Sequence, residues 1–380
     1  MHLKRFFSGA ILMLLGAGIS IHARAAEPVI AGYVFPQSGE IHLDQVDARK
    51  LNRINFAFAQ VVGGRMVVAN ANDELSLAHV TQLRRQNPAL TVLISVGGWL
   101  GSGGFSDVAL TAQSRSIFIQ STIDFLKQHN LDGVDIDWEY PADAGSGNKF
   151  RAEDKQNFTL LLKELRERMT LESKATRRRM YLTIAAGASD DYLAHTEMAK
   201  VQQYVDSVNL MAYDYYVADV DATTGNHAPL LTDPADPKKM SANASVKAFE
   251  AAGVPAGKII LGVPFYGRVW EHVADAHGGL FQQGKPSATG SLAYSQIKDT
   301  MLGHGFMRYW DAAAQAPYLY SKEQQEFVSY EDAESLGAKC HYITSHGLGG
   351  VSFWSYFNDP SGELLSAIDA GLEKRPMYTK

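Results

Sequence analysis

Eight short runs of aliphatic and β-branched residues recur along the chain, with stretches of helical spacing between them. They occupy residues 29–34, 53–59, 90–98, 133–137, 181–186, 205–211, 258–263 and 350–354. Strands that are apolar on both faces must be covered on both faces, the condition of a parallel sheet flanked by helices. The segments between the runs supply that cover. Residues 113–129 carry Ile117, Phe118, Ile123, Phe125 and Leu126 along one stripe, and residues 151–171 carry Phe158, Leu161, Leu162, Leu165 and Met169 along another. Eight strand–helix units predict the α/β class and, within it, a (β/α)8 TIM barrel rather than an open sheet.

One connection is too long for that scheme. The 82 residues from Gly267 to Leu348 join the seventh run to the eighth, where a helix and two loops would suffice. Residues 332–346 read as the expected barrel helix. The remainder, 268–330, is rich in Gly, Tyr and Phe. Compact domains rarely hold a structureless loop of that length, so a small α+β insertion is expected between strand seven and its helix. The barrel then takes residues 26–267 and 331–380. No Pro/Ser-rich linker, second module or internal repeat follows, and the last helix is expected at 362–373.

Residues 1–25 read separately. Lys4 and Arg5 precede the apolar run Gly9-Ala10-Ile11-Leu12-Met13-Leu14-Leu15, and Ala23-Arg24-Ala25 is a small-x-small site. That order is a secretory signal peptide, and its apolar run falls short of the roughly 20 residues that span a bilayer. The expectation is a secreted or periplasmic protein cleaved near Ala25/Ala26, with no membrane attachment afterwards. Cleavage leaves 355 of 380 residues and removes Lys4, Arg5 and Arg24, so a net charge of −6 becomes −9. An acidic chain is a poor match for nucleic acid, whose phosphates attract basic faces. At 46% hydrophobic residues, the chain can bury a full core, which excludes wholesale disorder. The single Cys340 excludes an intramolecular disulfide and a Cys-based zinc site, and reads as a packed helix residue.

The chemistry concentrates in Leu131-Asp132-Gly133-Val134-Asp135-Ile136-Asp137-Trp138-Glu139-Tyr140-Pro141. Side chains alternate along a strand, so Asp135, Asp137 and Glu139 share the barrel interior while Val134, Ile136 and Trp138 face the helices. Glu139 then sits at the C-terminal mouth, where barrel enzymes work. Three inward acids about 6.5–7 Å apart are costly to ionise together, so at least one keeps a proton near neutrality and can act as a general acid. The intervening apolar residues argue against a solvated strand. A Ca²⁺ or Mg²⁺ site, drawing oxygen ligands from other loops, stays open on spacing alone.

The pattern Asp132-Gly-x-Asp135-x-Asp137-x-Glu139 resembles the signature of glycoside hydrolase family 18, the chitinases. Trp138 and Tyr140-Pro141 resemble the true chitinases more than the spore-wall or endoglycosidase branches. Four further stretches are similar in order: Ser95-Val96-Gly97-Gly98-Trp99, Asn209-Leu210-Met211-Ala212-Tyr213-Asp214, Gly262-Val263-Pro264-Phe265-Tyr266-Gly267-Arg268 and Gly349-Gly350-Val351-Ser352-Phe353-Trp354. The insertion after strand seven resembles the subfamily with a deep groove.

The resemblance implies a monomeric, cofactor-free and metal-free enzyme that cuts β-1,4-linked N-acetylglucosamine in chitin or chito-oligosaccharides. It also implies retention, with the substrate's own 2-acetamido oxygen as the nucleophile. Glu139 would be the general acid and then the base. Asp137 would orient the acetamido group, Asp135 would share a proton with Asp137, and Tyr213 would donate to the acetamido oxygen. Met211 and Asp214 would line that subsite, and Trp354 would form its floor. Tyr33, Phe58, Trp99, Tyr140 and Tyr266, near strand ends, would offer aromatic faces to sugar rings. Arg268 would pair with an acid or a sugar hydroxyl, and Gly97 and Gly98 would allow a tight turn under the sugar.

Two departures matter. Where many family members carry Trp after strand six, this chain reads Tyr215-Tyr216-Val217-Ala218-Asp219-Val220, which leaves endo versus exo action open. No separate carbohydrate-binding module is recognisable, so soluble oligomers are expected to outperform crystalline chitin. Other readings are a peptidoglycan or N-glycan hydrolase of the same family and a non-catalytic chitin-binding lectin, which the presence of Glu139 disfavours. A metal-dependent barrel hydrolase is disfavoured because no His pair sits beside the acids at ligand spacing.

Overall fold

Residues 27–36 and 39–373 are described by the structure, a computed structural model; the leader expected at 1–25 lies outside the described residues. The strands in chain order are β1 (Val29–Val34), β2 (Arg53–Val62), β3 (Arg65–Val68), β4 (Thr91–Gly97), β5 (Gly133–Asp137), β6 (Tyr181–Gly187) and β7 (Ser207–Met211). They continue as β8 (Ile259–Pro264), β9 (Tyr266–Glu271), β10 (Lys285–Ala293), β11 (Met307–Asp311), β12 (Ala316–Ser321), β13 (Glu326–Ser329) and β14 (Gly350–Trp354). Eight of them run parallel in the order β1-β14-β8-β7-β6-β5-β4-β2, and a β1–β2 pairing closes the ring. Closure leaves no free barrel edge and brings all eight C-terminal ends to one mouth. Only the outer end of β2 escapes the ring, pairing antiparallel with β3.

Helices cover the outside: α1 (Ala71–Gln82), α2 (Phe105–Leu110), α3 (Ala112–Gln128), α4 (Asp154–Thr176), α5 (Asp190–Ala194), α6 (Met198–Val201), α7 (Ala242–Ala251), α9 (Ala333–His346) and α10 (Glu363–Glu373), while α8 (Tyr294–Thr300) follows β10 and packs on β9 and β10. In α4 the expected stripe of Phe158, Leu161, Leu162, Leu165 and Met169 is buried throughout. In α3 the expected Phe118, Ile123, Phe125 and Leu126 are buried, but Ile117 is 39% exposed and Ile119 is buried instead. Each residue turns the helix by about 100°, so the neighbour of a core residue can face water. Trp138 points outward from the barrel as alternation requires, stacked on Phe105 of α2 at 5.3 Å and edge-on to Phe158 of α4 at 5.6 Å. Cys340 is buried in α9 with its Sγ 3.7 Å from the Ile368 carbonyl of α10, and burial pushes its thiol up to about 12.

A second sheet rises between β8 and α9. Its five strands pair antiparallel in the order β10-β9-β13-β12-β11. A single residue, Phe265, links β8 to β9; its N–H donates to the Trp354 carbonyl at 2.7 Å and its ring stacks on Phe353 at 4.3 Å. The sheet has its own apolar core, in which Trp270, Leu319, Phe327 and Val328 are buried. Because β9 leaves directly from the barrel mouth, Tyr266 and Arg268 stand over that mouth as one wall.

Candidate active site

The floor of the mouth is built from β5 and its neighbours. Register places Asp135 between Ser95 of β4 and Thr183 of β6, and both hydroxyls bind its carboxylate, at 2.9 Å to Oδ2 and 2.5 Å to Oδ1. Tyr33 of β1 donates to Oδ2 at 2.9 Å, and the Asn209 amide of β7 donates to Oδ1 at 3.0 Å. Asp135 is fully buried, and burial raises its pKa, with the Thr183, Ser95 and Tyr33 hydrogen bonds working against the rise. Four donors on two oxygens make it a fixed acceptor under the site.

Asp137, the next inward residue, is buried with its Oδ1 left unpartnered. Its pKa is raised well above the usual range by burial and then by the charges of Glu139 and Asp135. The hydrogen bonds that Asp135 accepts here come from Tyr33, Ser95, Thr183 and Asn209. Glu139 follows just beyond the strand end, 9% exposed. Burial pushes its carboxyl up to about 7; the neighbouring Tyr140 hydroxyl works against that rise and the Asp214 charge adds to it. These acids interact, so they titrate as a set.

Backbone contacts hold Glu139 in place. Its N–H donates to Ser102 Oγ at 2.9 Å, and that hydroxyl donates to the Gly98 and Asp137 carbonyls at 2.8 and 3.1 Å. Gly97 turns the chain here with φ 109°, and a Cβ on it would lie 2.1 Å from the Asp137 carbonyl oxygen. The need for glycine is therefore an approach of backbone to backbone beneath the acids.

Across the mouth, Asp214 sits at the end of β7 with φ 59°. Arg268 grips it in a bidentate pair, Nε to Oδ1 at 2.8 Å and Nη2 to Oδ2 at 2.7 Å, and Tyr266 donates to Oδ2 at 2.7 Å. Burial works to raise the Asp214 pKa, but the His227 and Arg268 side chains outweigh it and hold the carboxyl well below the usual range. Tyr213 lies edge-on to Tyr266 at 6.2 Å, its phenol pushed well above its usual pKa, first by burial and then by the charges of Asp137 and Glu139.

Aromatic rings pave the rest. Trp354 stacks on Phe58 at 5.4 Å and lies 5.8 Å from Tyr33 and 5.7 Å from Phe35. Trp99 is 50% exposed at the rim, edge-on to Tyr140 at 6.4 Å. Together these residues line a cavity of ≈1020 Å³. Of the side chains and glycines expected to serve the site, Tyr33, Phe58, Gly97, Trp99, Asp137, Glu139, Tyr140, Met211, Tyr213, Asp214, Tyr266, Arg268 and Trp354 face it, whereas Asp135 lies below and Gly98 under the Phe58 ring. Thr183, Ser102, Phe35 and His227 were not anticipated. A polar Thr inside an apolar strand could have marked Thr183; nothing local marks His227. Among the described residues, two clusters bring three metal-ligating groups within 4.8 Å, Asp143–Asp191–His195 and Glu40–His42–His79, and neither contains Asp135, Asp137 or Glu139.

Comparison with known proteins agrees with this architecture. The family described as glycosyl hydrolases family 18 matches residues 29–359. The chain is 42% identical over 312 residues to Chitinase A1 of Niallia circulans, covering 78% of this chain and 44% of that protein. It superimposes on Chitinase ChiW from Paenibacillus sp. with TM-score 0.86 and 37% identity, over 91% of this chain and 33% of that one. On a family 18 N-acetylglucosaminidase from Paenibacillus barengoltzii the TM-score is 0.82 with 39% identity, over 90% of this chain and 99% of that one. The chain thus spans less than half the length of Chitinase A1 and of ChiW, and nearly all of the N-acetylglucosaminidase.

Proposed function

Because the chain belongs to glycosyl hydrolases family 18, we propose that it hydrolyses the β-1,4 links between N-acetylglucosamine units of chitin or chito-oligosaccharides, with Glu139 as the general acid and base. The observation that carries this reading is a buried Glu139, its carboxyl near 7, beside the unpartnered Asp137 Oδ1 on the wall of an aromatic-lined cavity. Glu139 gives its proton to the glycosidic oxygen as the C1–O bond breaks. The substrate's 2-acetamido oxygen attacks C1 and forms a cyclic oxazolinium ion. Asp137 accepts the acetamido N–H and offsets the positive charge, while the Tyr213 phenol donates to the acetamido oxygen and fixes it for attack. Water, deprotonated by the Glu139 carboxylate, then opens the ring at C1 with net retention and returns the proton to Glu139.

Asp135, held by its four donors, serves as the buried charge against which Asp137 titrates. Trp354 with Phe58 supplies the apolar platform for the sugar at the point of cleavage, and Trp99, Tyr140 and Tyr33 extend it. The signal-peptide order of residues 1–25 supports export of the enzyme.

Release of single N-acetylglucosamine units is the second reading. It is favoured by near-complete coverage of the Paenibacillus barengoltzii enzyme and by Val220, 82% exposed at the cavity edge where an aromatic platform would favour longer chains. Product analysis on chitin hexamer decides between them. Dimers and trimers as first products support internal cleavage, and monomer alone supports the second reading. Turnover of peptidoglycan or an N-glycan with none of the hexamer would overturn both. Glu139→Gln must lose nearly all turnover in either case, and turnover at the parent rate would remove Glu139 from its assigned role.

A further inference from the structure

One buried side chain lies behind Asp214, outside the cavity lining, with its hydrogen-bonding capacity unused. His227 is completely buried, and neither Nδ1 nor Nε2 has a hydrogen-bond partner. Nδ1 lies 3.5 Å from Asp214 Oδ1, at the limit of hydrogen-bond reach, and the ring packs against Tyr266 at 5.4 Å. Burying an imidazole without partners is unfavourable, so such a group calls for a reason. Its backbone is tied from two sides. The His227 N–H donates to Ser329 Oγ of β13 at 2.8 Å, and its carbonyl accepts from the N–H of Tyr215, next to Asp214, at 3.0 Å. His227 therefore links the second sheet to the segment that carries Asp214.

The donor count on Asp214 shows what is missing. Oδ2 receives Arg268 Nη2 and Tyr266 Oη, whereas Oδ1 receives only Arg268 Nε at hydrogen-bond length. A carboxylate oxygen accepts two such bonds, and the His227 Nδ1 stands nearest the open position. We propose that His227 is a positioning residue for Asp214, and that bound chito-oligosaccharide closes the gap so that a neutral imidazole donates Nδ1–H to Asp214 Oδ1. The charged groups around the ring are Asp214, Arg268 and Lys339, the last held by Glu331 at 2.5 Å and by the Ala228 carbonyl at 2.7 Å. Burial, helped by the Arg268 and Lys339 charges, outweighs the pull of Asp214 and favours the neutral ring. The closed contact locks the Asp214 rotamer against the sugar. This inference rests on the proposed function and adds a residue to it.

The test uses the geometry of two amides. Asn at 227 places its amide nitrogen where Nδ1 sits, and Gln places it where Nε2 sits. On chitotetraose, His227→Asn is expected to keep kcat/KM within about threefold of the parent and His227→Gln to lose about tenfold or more, with both variants unfolding at matched temperatures. Equal losses, or none, would overturn the proposal, because a merely structural role treats both amides alike. A second measurement leaves residue 227 intact. ¹⁵N-histidine spectra of the Glu139→Gln protein should show a protonated Nδ1 that shifts on saturation with chitotetraose, and an unmoved Nδ1 signal overturns the inference even where cleavage by the parent upholds the site. A parent that neither binds nor cleaves chitotetraose removes the functional reading, and this inference with it.

Discussion

Tyr33 and Asp135, 102 residues apart in sequence, meet inside the barrel at 2.9 Å, the phenol donating to Oδ2. Tyr33→Phe deletes that donor with little change of shape. The variant should lose about 1–3 kcal/mol of stability, because a buried carboxylate is left short of a partner. The Asp135 pKa, already raised by burial, should rise further. Urea unfolding at pH 7 measures the loss, and a parent-like midpoint would mean that Ser95, Thr183 and Asn209 satisfy Asp135 alone.

Glu139 gives a pH-dependent prediction with a definite sign. Its carboxyl is raised from 4.5 to about 7, chiefly by burial. The folded state therefore holds a proton that the unfolded state releases between those values. Stability from this group is complete below about 4.5 and is lost as pH rises through about 7. Glu139→Gln carries no such titration. Its melting temperature should exceed the parent's at pH 8, and the difference should shrink at pH 4. Parent kcat/KM should fall above about pH 7 as the acid loses its proton. A stability gap of equal size at both pH values would show that burial does not hold the proton.

Arg268→Met should act in the opposite sense. Asp214 is held below the usual carboxylate range by His227 and Arg268 against the pull of burial, so it contributes stability at neutral pH that is lost as pH falls through its folded value. Removing the bidentate partner should cost about 1–3 kcal/mol at pH 7, less at pH 3, and should raise KM on chito-oligosaccharides. Denaturation at the two pH values reads the difference directly.

Gly97→Ala tests the backbone approach beneath the acids. The new Cβ would stand 2.1 Å from the Asp137 carbonyl oxygen, so the chain under Asp137 and Glu139 must move. A loss of at least about 2 kcal/mol is expected, with kcat falling further than stability alone explains. Gly303→Ala is the control: its φ is also positive, at 81°, but nothing lies within 4 Å of its Cβ. Strain without collision should cost about 1 kcal/mol there and leave kcat unchanged.

Much of the site was legible before folding. The alternation of Asp135, Asp137 and Glu139 with Val134, Ile136 and Trp138 predicts which side chains face inward, and Trp138 packs on α2 and α4 as that alternation requires. The α3 stripe was legible only in part. Ile117 is as apolar as Ile119, and which of them faces the core depends on the rotation that α3 adopts against its neighbours.

Sequence alone determined the local quantities: where strands and helices run, that their apolar faces demand a closed parallel barrel, and which strand carries the acids. Those follow from periodicity within a few residues of chain. The tertiary structure decided what surrounds each acid. Asp135 draws its donors from β1, β4, β6 and β7, and Asp214 meets Arg268 only because β9 leaves the barrel mouth through the single residue Phe265. His227 has no local mark at all, since its place beside Asp214 is set by ties to Tyr215 and to Ser329, 102 residues away. Hydrogen-bond partners and desolvation depend on the register between distant segments, which barrel closure sets and local periodicity does not encode.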